Sequence, residues 1–548
     1  VWKAEEKNMK TRMIIVIAIG LISLLINPAG AELMPAVSVD LGNEPDAVDF
    51  INDNLLLCTD IDGLVKITAK LEAFSLPGCE RLWFNEYPIG SQADITGIKD
   101  LPYHLWADED AGLLFVGNGP LNAVDCKTGE LLWSVDYDQT GMVYDVTPCG
   151  DYLFAMGTKT RSKFTITFSQ DYGSALDHIK DPILYCLDKK DGTIKWKYEY
   201  DPPRRATKKK HRGYYIEEKI SQPFPGLYLP EGMLQENSNV EQGGIYILGK
   251  YVYCLDPSDG SEVWVYKNEP SGEIAFSDKY LYVVADNKLC CLDRASGREV
   301  WKSDKKIKGR PFLAELADYD DHVIYACIDG KMTAIDFEHG EQIWRCDKKE
   351  IDYLGDIVLR GNFLLAIDPG GYDEDKGEHT GKYRVVCHDL SSGEMLWKYD
   401  DAENFRDWNM YNDTLLQVMD KDRIRIFNLN IRKKIGEIKV KDYYNFYPLE
   451  AQFIDAGEKG VICYGFDGKT KIWEVKARLS KRDYSEFIED LNLVVFPTRD
   501  EGVLGISTAD GSVVWKTIEI KDPVLYYRPS YEYFLALDKK TLHRFDLQ

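Results

Sequence analysis

Few residues of this chain stand at spacings that make chemistry. The eight histidines, His104, His178, His211, His322, His339, His379, His388 and His543, fall at no metal-ligand spacing. Asp373-Glu374-Asp375-Lys376-Gly377 alternates carboxylates ahead of a glycine, as a calcium loop does, but lacks the full loop and terminal glutamate of an EF-hand. Its default state is a solvated loop. Gly117-Asn118-Gly119 lacks the third glycine of a dinucleotide loop, and there is no Gly-x-Ser-x-Gly elbow. The adjacent pair Cys290-Cys291 lies inside an apolar strand that leads into Asp293. No catalytic, cofactor-binding or metal-binding residue is assigned from these patterns.

Two other features have binding character. Arg204, Arg205, Lys208, Lys209, Lys210, His211 and Arg212 form a basic run, and Pro223 to Pro230 follows with prolines and aromatics. Such a local reversal of charge suits an anionic surface or partner, and the apolar residues supply contact area. A solvated loop is the alternative. Asn412-Asp413-Thr414 is a lone glycosylation sequon.

The elements that position these residues are set by a repeat. An apolar strand ends in Asp, Gly follows four residues later, and Trp four after that: Asp125/Gly129/Trp133, Asp188/Gly192/Trp196, Asp256/Gly260/Trp264, Asp293/Gly297/Trp301, Asp336/Gly340/Trp344 and Asp389/Gly393/Trp397. Looser copies occur at Trp83, at Asp467/Gly468/Trp473, at Ser507/Gly511/Trp515 and, without Trp, around Asn428 to Val440. The Asp side chain can cap the following amides, and Gly supplies the positive φ of a tight turn. With the strands upstream, each unit has about four short antiparallel strands, the make-up of a propeller blade. The tryptophan on the outermost strand is expected to lie over the neighbouring blade, where truncation to Ala costs about 3 to 5 kcal/mol.

The fold class is therefore all-β, a β-propeller of four-stranded antiparallel blades. Val524 to Leu547 supplies only three strands, and Ala36 to Leu41 matches the missing outer one. Pairing them lets the N-terminal strand close the last blade and removes an exposed edge. Ten complete units plus this shared one make up to eleven repeats. Inserts are expected at 157–181, 201–242 and 369–382.

The Asp-x-x-x-Gly-x-x-x-Trp repeat resembles the tryptophan-docking motif of the pyrroloquinoline-quinone-like, or quinoprotein alcohol dehydrogenase-like, propellers, over nearly everything from Ala36 onward. The resemblance implies about eight blades to a ring. The larger count here fits one unusually large ring, two rings, or units that are insertions. It also implies one of two functions. Some members are calcium-dependent quinone dehydrogenases with a bridge between neighbouring cysteines beside the cofactor, which would cast Cys290-Cys291 in that role with PQQ and calcium as cofactors. Others are non-catalytic, among them the propeller lipoprotein of the outer-membrane barrel-assembly machinery. That lipoprotein carries a lipid-bearing cysteine directly after its signal segment, whereas the first cysteine here is Cys58. The missing site motifs favour a non-catalytic scaffold binding protein or glycan partners, with a dehydrogenase of alcohols or sugars as the alternative.

Charge and address agree with an exported protein. The 548 residues carry a net charge of -24, which argues against general nucleic-acid binding. Met9 to Arg12, the apolar run Met13 to Ile26 and the small-residue end at Ala31 describe a secretory signal peptide within 1–31, too short for an ordinary membrane span. A secreted or cell-envelope location follows, with no stable transmembrane anchor after cleavage. Cys186, Cys254, Cys291 and Cys387 recur in one slot of four units, too far apart to bridge, and are expected to be reduced, buried small hydrophobes.

Overall fold

The structure, a computed structural model, describes most residues from Ala31 to Leu547, leaving out chiefly 1–30, 92–104, 159–181, 202–207, 218–225, 229–243 and 314–322. The signal segment expected within 1–31 lies almost wholly outside the described residues. Two compact units are present: residues 46–76 with 80–404, and residues 1–45 with 77–79 and 405–548. Among the described residues regular structure is almost entirely β, broken by one helical turn at Tyr137–Thr140 and a 3-10 turn at Glu489–Leu491.

Among the described residues the strands form ten four-stranded sheets, one of five and two two-stranded hairpins, and the eleven larger sheets are the eleven expected repeats. We number them in chain order: blades 1 to 7 span 47–91, 105–135, 145–199, 226–266, 270–302, 312–345 and 356–402; blades 8 to 10 span 405–439, 446–476 and 486–517. Blade 11 takes 524–546 and a fourth strand from the N-terminal segment, Val37–Asp40. Within blades 1 to 10 the strands a to d pair in chain order, and in blade 11 the N-terminal strand takes the place of d.

The N-terminal pairing is antiparallel, with Val37 opposite Arg544 and Val39 opposite Leu542, so the strand that Val524 to Leu547 lacks is supplied as expected. Just before it, Ala31–Leu33 adds a parallel fifth strand to blade 10 along Trp515–Thr517. One short N-terminal segment thus covers two sheet edges, each otherwise a row of unpaired backbone groups.

The turn chemistry explains why the repeat is so regular. Asp125 Oδ1 accepts from the amides of Lys127 (2.9 Å) and Thr128 (2.8 Å) and from the Thr128 hydroxyl, and Gly129 at φ 69° closes the turn. Asp293 and Asp389 make the same turn, and hydrogen bonds from Ser296 and from Ser391 and Ser392 hold their carboxyls below the usual range. The capped turn leaves one carbonyl, that of the residue after Asp, pointing away from its own sheet. That carbonyl receives the indole of the preceding blade. Trp83 donates Nε1–H to Cys126 O (2.9 Å), Trp133 to Lys189 O, Trp196 to Pro257 O, Trp264 to Arg294 O, Trp301 to Phe337 O and Trp344 to Leu390 O.

The glycine has a second duty besides φ. A Cβ on Gly129 would lie 2.5 Å from Trp83 Cδ2, and one on Gly393 2.2 Å from Trp344 Cε3. The indole rests flat on the bare backbone of the next turn. Five more glycines, from Gly192 to Gly511, meet a tryptophan in the same way. These docks join blades 1 through 7, and Trp473 docks blade 9 on blade 10.

Inside each blade the indole also shapes its cross-strand neighbour. The residue opposite it on strand c is Ala73, Ala123, Cys186, Cys254, Cys291, Ala334, Cys387, Cys463 or Gly505, always small. Blade 8 inverts the arrangement: the Trp slot is Gly436 and its partner is the buried Ile426. The larger member of the pair thus moves from strand d to strand c. In the same blade the turn glycine is replaced by Arg432, which adopts φ 55°.

Candidate binding surface

The adjacent cysteines are absorbed by packing. Cys290 and Cys291 sit in strand c of blade 5, Lys288–Asp293, and belong to two different core clusters, one with Trp264 and one with Ile324. Neighbouring strand residues face opposite ways, so the two thiols serve opposite faces of one sheet. All twelve cysteines are buried thiols, none in a disulfide among the described residues. Burial pushes Cys186, Cys254 and Cys291 up to about 12, far from the thiolate that reactivity requires.

The histidines scatter. His339 is exposed beside Asp336, His543 meets Ser38 Oγ at 2.9 Å, and His388 is buried against Trp344, its Nδ1 3.2 Å from the Gly393 carbonyl. Among the described residues, no three His, Cys, Asp or Glu side chains gather as a metal cluster. Of the acidic run, Asp373 ends a short strand paired with Glu378–Thr380, and 374–377 lie outside the described residues, as do Asp413 and Thr414 of the sequon.

A more informative geometry is where the inserts emerge. In a meander a-b-c-d, the a–b and c–d connections leave one end of the sheet, while the b–c connection and the link to the next blade leave the other. Every Asp–Gly turn is a c–d connection. The segment 157–181 joins strands b and c of blade 3, 201–242 links blade 3 to blade 4, and 369–382 joins b and c of blade 7. All three connect strands at the sheet end opposite the docking turns. Two carry a hairpin of their own: Lys208–His211 with Tyr214–Glu217, Lys208 opposite Glu217, and Gly371–Asp373 with Glu378–Thr380.

One part of the span 201–242 differs from the expected loop. Gly226–Tyr228, within the proline-aromatic stretch, is strand a of blade 4, with Leu227 opposite Ile247. Its flanking prolines, Pro225 and Pro230, are tolerated because the strand is three residues long and on a sheet edge. Of the candidate basic run, Lys208–His211 forms the hairpin, and Arg204, Arg205 and Arg212 lie outside the described residues.

Charge is distributed unevenly. Residues 405–548 hold 23 Lys+Arg and 23 Asp+Glu, so the whole net charge of -24 belongs to residues 1–404. Sequence reasoning missed this because it took the charge over the full chain. The segregation of inserts was legible in their positions, since none interrupts an Asp–Gly turn.

Residues 249–412 match the family described as Outer membrane protein assembly factor BamB, a span holding four of the six strict repeats. Among solved structures, BamB from Moraxella catarrhalis is similar at 15% identity, over 66% of this chain and 94% of that one, with a TM-score of 0.33. A computationally designed protein, Ika8, matches at 12% identity over 73% of this chain and 100% of its own, with a TM-score of 0.31. A quinohemoprotein alcohol dehydrogenase from Pseudomonas putida matches at 14% identity over 94% of this chain and 76% of its own, also at 0.31. A comparison with curated proteins finds no match.

Proposed function

Because the chain carries the repeats of the pyrroloquinoline-quinone-like β-propeller family, matched by the BamB family over 249–412, we propose that it is an exported, non-catalytic scaffold. It engages a protein partner through the insert-bearing strand ends of residues 46–404. The observation that carries this reading is the division of labour between the two ends of each blade. Seven c–d turns are occupied by indole docking and leave no room for an insertion, because their glycine and carbonyl are already in contact. The opposite end carries all three inserts, including the basic hairpin Lys208–His211/Tyr214–Glu217. The cationic and apolar stretch Met9 to Ala31 supports export. Among the described residues no helix is long and apolar enough to cross a membrane.

A photo-crosslinking amino acid placed at Tyr214, and separately at Thr128 in a docking turn, tests this in living cells. Partner adducts are expected from position 214 and none from position 128. Equal labelling from both would remove the basis for assigning the insert-bearing end as the interface.

A further inference from the structure

A second surface lies in residues 405–548, and its character differs from the rest of this acidic chain. An open depression of about 660 Å³ forms where three segments meet: the b–c turn of blade 9 at Lys459, the chain leaving strand d of that blade at Lys476 to Arg478, and the b–c turn of blade 10 at Thr498 to Glu501. Four cations line it, Lys459, Lys476, Arg478 and Arg499, against two carboxylates, Asp500 and Glu501. Among the described residues none of these six makes an ion pair with another protein group.

The floor is rigid. Leu479 and Thr498 form an antiparallel bridge, Arg499 N donates to Arg478 O (3.0 Å), and Ser480 N to Pro497 O (2.9 Å). Thr498 Oγ1 closes the turn by donating to Gly502 O (2.7 Å) and accepting from Glu501 N (2.8 Å). Arg499 is held by its own Nε–H, which donates to Leu479 O at 2.9 Å. That bond fixes the guanidinium plane and leaves its two terminal nitrogens as an oriented fork, the geometry that suits a carboxylate.

We propose that this depression docks an acidic peptide segment of a partner protein, its spaced carboxylates meeting the Arg499 fork, Arg478 and the two lysines. The depression is wide and open, and its cations come from three separate segments, so an extended ligand reaches more of them than a single small ion. Asp500 and Glu501 select among polyanions. They repel a densely charged chain of phosphates or sulfates, whereas a peptide can set its amide N–H groups against them and its carboxylates against the cations. The site is independent of docking through the inserts of residues 46–404.

The test is fluorescence anisotropy of the full chain with a labelled octapeptide alternating Glu and Gly. Binding that weakens with salt is expected, with Lys459→Gln/Lys476→Gln, both exposed and structurally neutral, and Arg478→Gln/Arg499→Gln each weakening it about tenfold or more. Gln replacements at Lys208, Lys209 and Lys210 should change nothing. The proposal is overturned if neither double variant weakens binding, if the loss appears on the hairpin variant instead, or if heparin or pyrophosphate displaces the peptide more effectively than unlabelled peptide does.

Discussion

Gly112 and Gly129 lie in the same blade at nearly the same φ, 65° and 69°, yet one faces open space and the other faces an indole. Replacing each by alanine separates the two duties of the repeat glycine. Both variants bear the left-handed penalty of an L-residue, about 1 to 2 kcal/mol. At Gly112 nothing lies within 4 Å of the new methyl, so the cost should end there. At Gly129 the methyl would meet Trp83 Cδ2 at 2.5 Å and Asn85 Nδ2 at 2.6 Å. The ring must lift, at an overpacking cost of about 1 to 3 kcal/mol. Lifting also strains the bond from Trp83 Nε1 to Cys126 O, worth about 0.5 to 1.5 kcal/mol. Gly129→Ala should therefore be about 2 to 4 kcal/mol worse than Gly112→Ala in urea unfolding followed by tryptophan fluorescence. In a Trp83→Phe background the excess should shrink, as expected for directly coupled positions. Equal losses at the two glycines, or an excess that survives loss of the indole, would refute the docking account.

Three further outcomes are expected. His388 is driven by burial down to about 4, against roughly 6.5 unfolded, so its contribution is complete above pH 6.5 and is lost as pH falls toward 4, about 3 kcal/mol in all. His388→Phe should flatten that part of the melting-temperature profile, and parallel profiles would show that another group titrates. Gly436→Trp should destabilise blade 8 by about 1 to 3 kcal/mol through collision with Ile426, and adding Ile426→Ala should recover part of the loss in the same urea assay. Deleting residues 31–41 uncovers Thr541–Asp546 and Trp515–Thr517 together; light scattering should report aggregation, and a monodisperse product would show those edges to be harmless.

Much of the fold was legible because the docking turn makes chemical demands that few residues meet. Asp caps, Gly both bends and makes room, and Trp is large enough to reach the next turn, so six strict copies stand out in the sequence. Blade 8 was visible only as a degenerate unit because its larger residue, Ile426, sits on strand c opposite Gly436 on strand d, the reverse of the motif. Strand a is the least legible element: it is two residues long at Phe312–Leu313 and is hidden among prolines at Gly226–Tyr228. The insert-bearing end could be found from chain positions alone. The depression at Arg499 could not, because its cations come from separate turns that only the neighbouring sheets bring together.

The tryptophan-facing cysteines have a consequence for how this polypeptide must be made. Once the blades are stacked, oxidants have little access to any thiol, so the mature protein needs no reducing surroundings. The newly synthesised chain has no such shelter, with twelve sulfhydryls that can be joined at random before the indoles find their seats. Renaturation yield should therefore depend on reductant at the start and become indifferent to it at the end, which places the vulnerability in the order of events and not in the finished molecule.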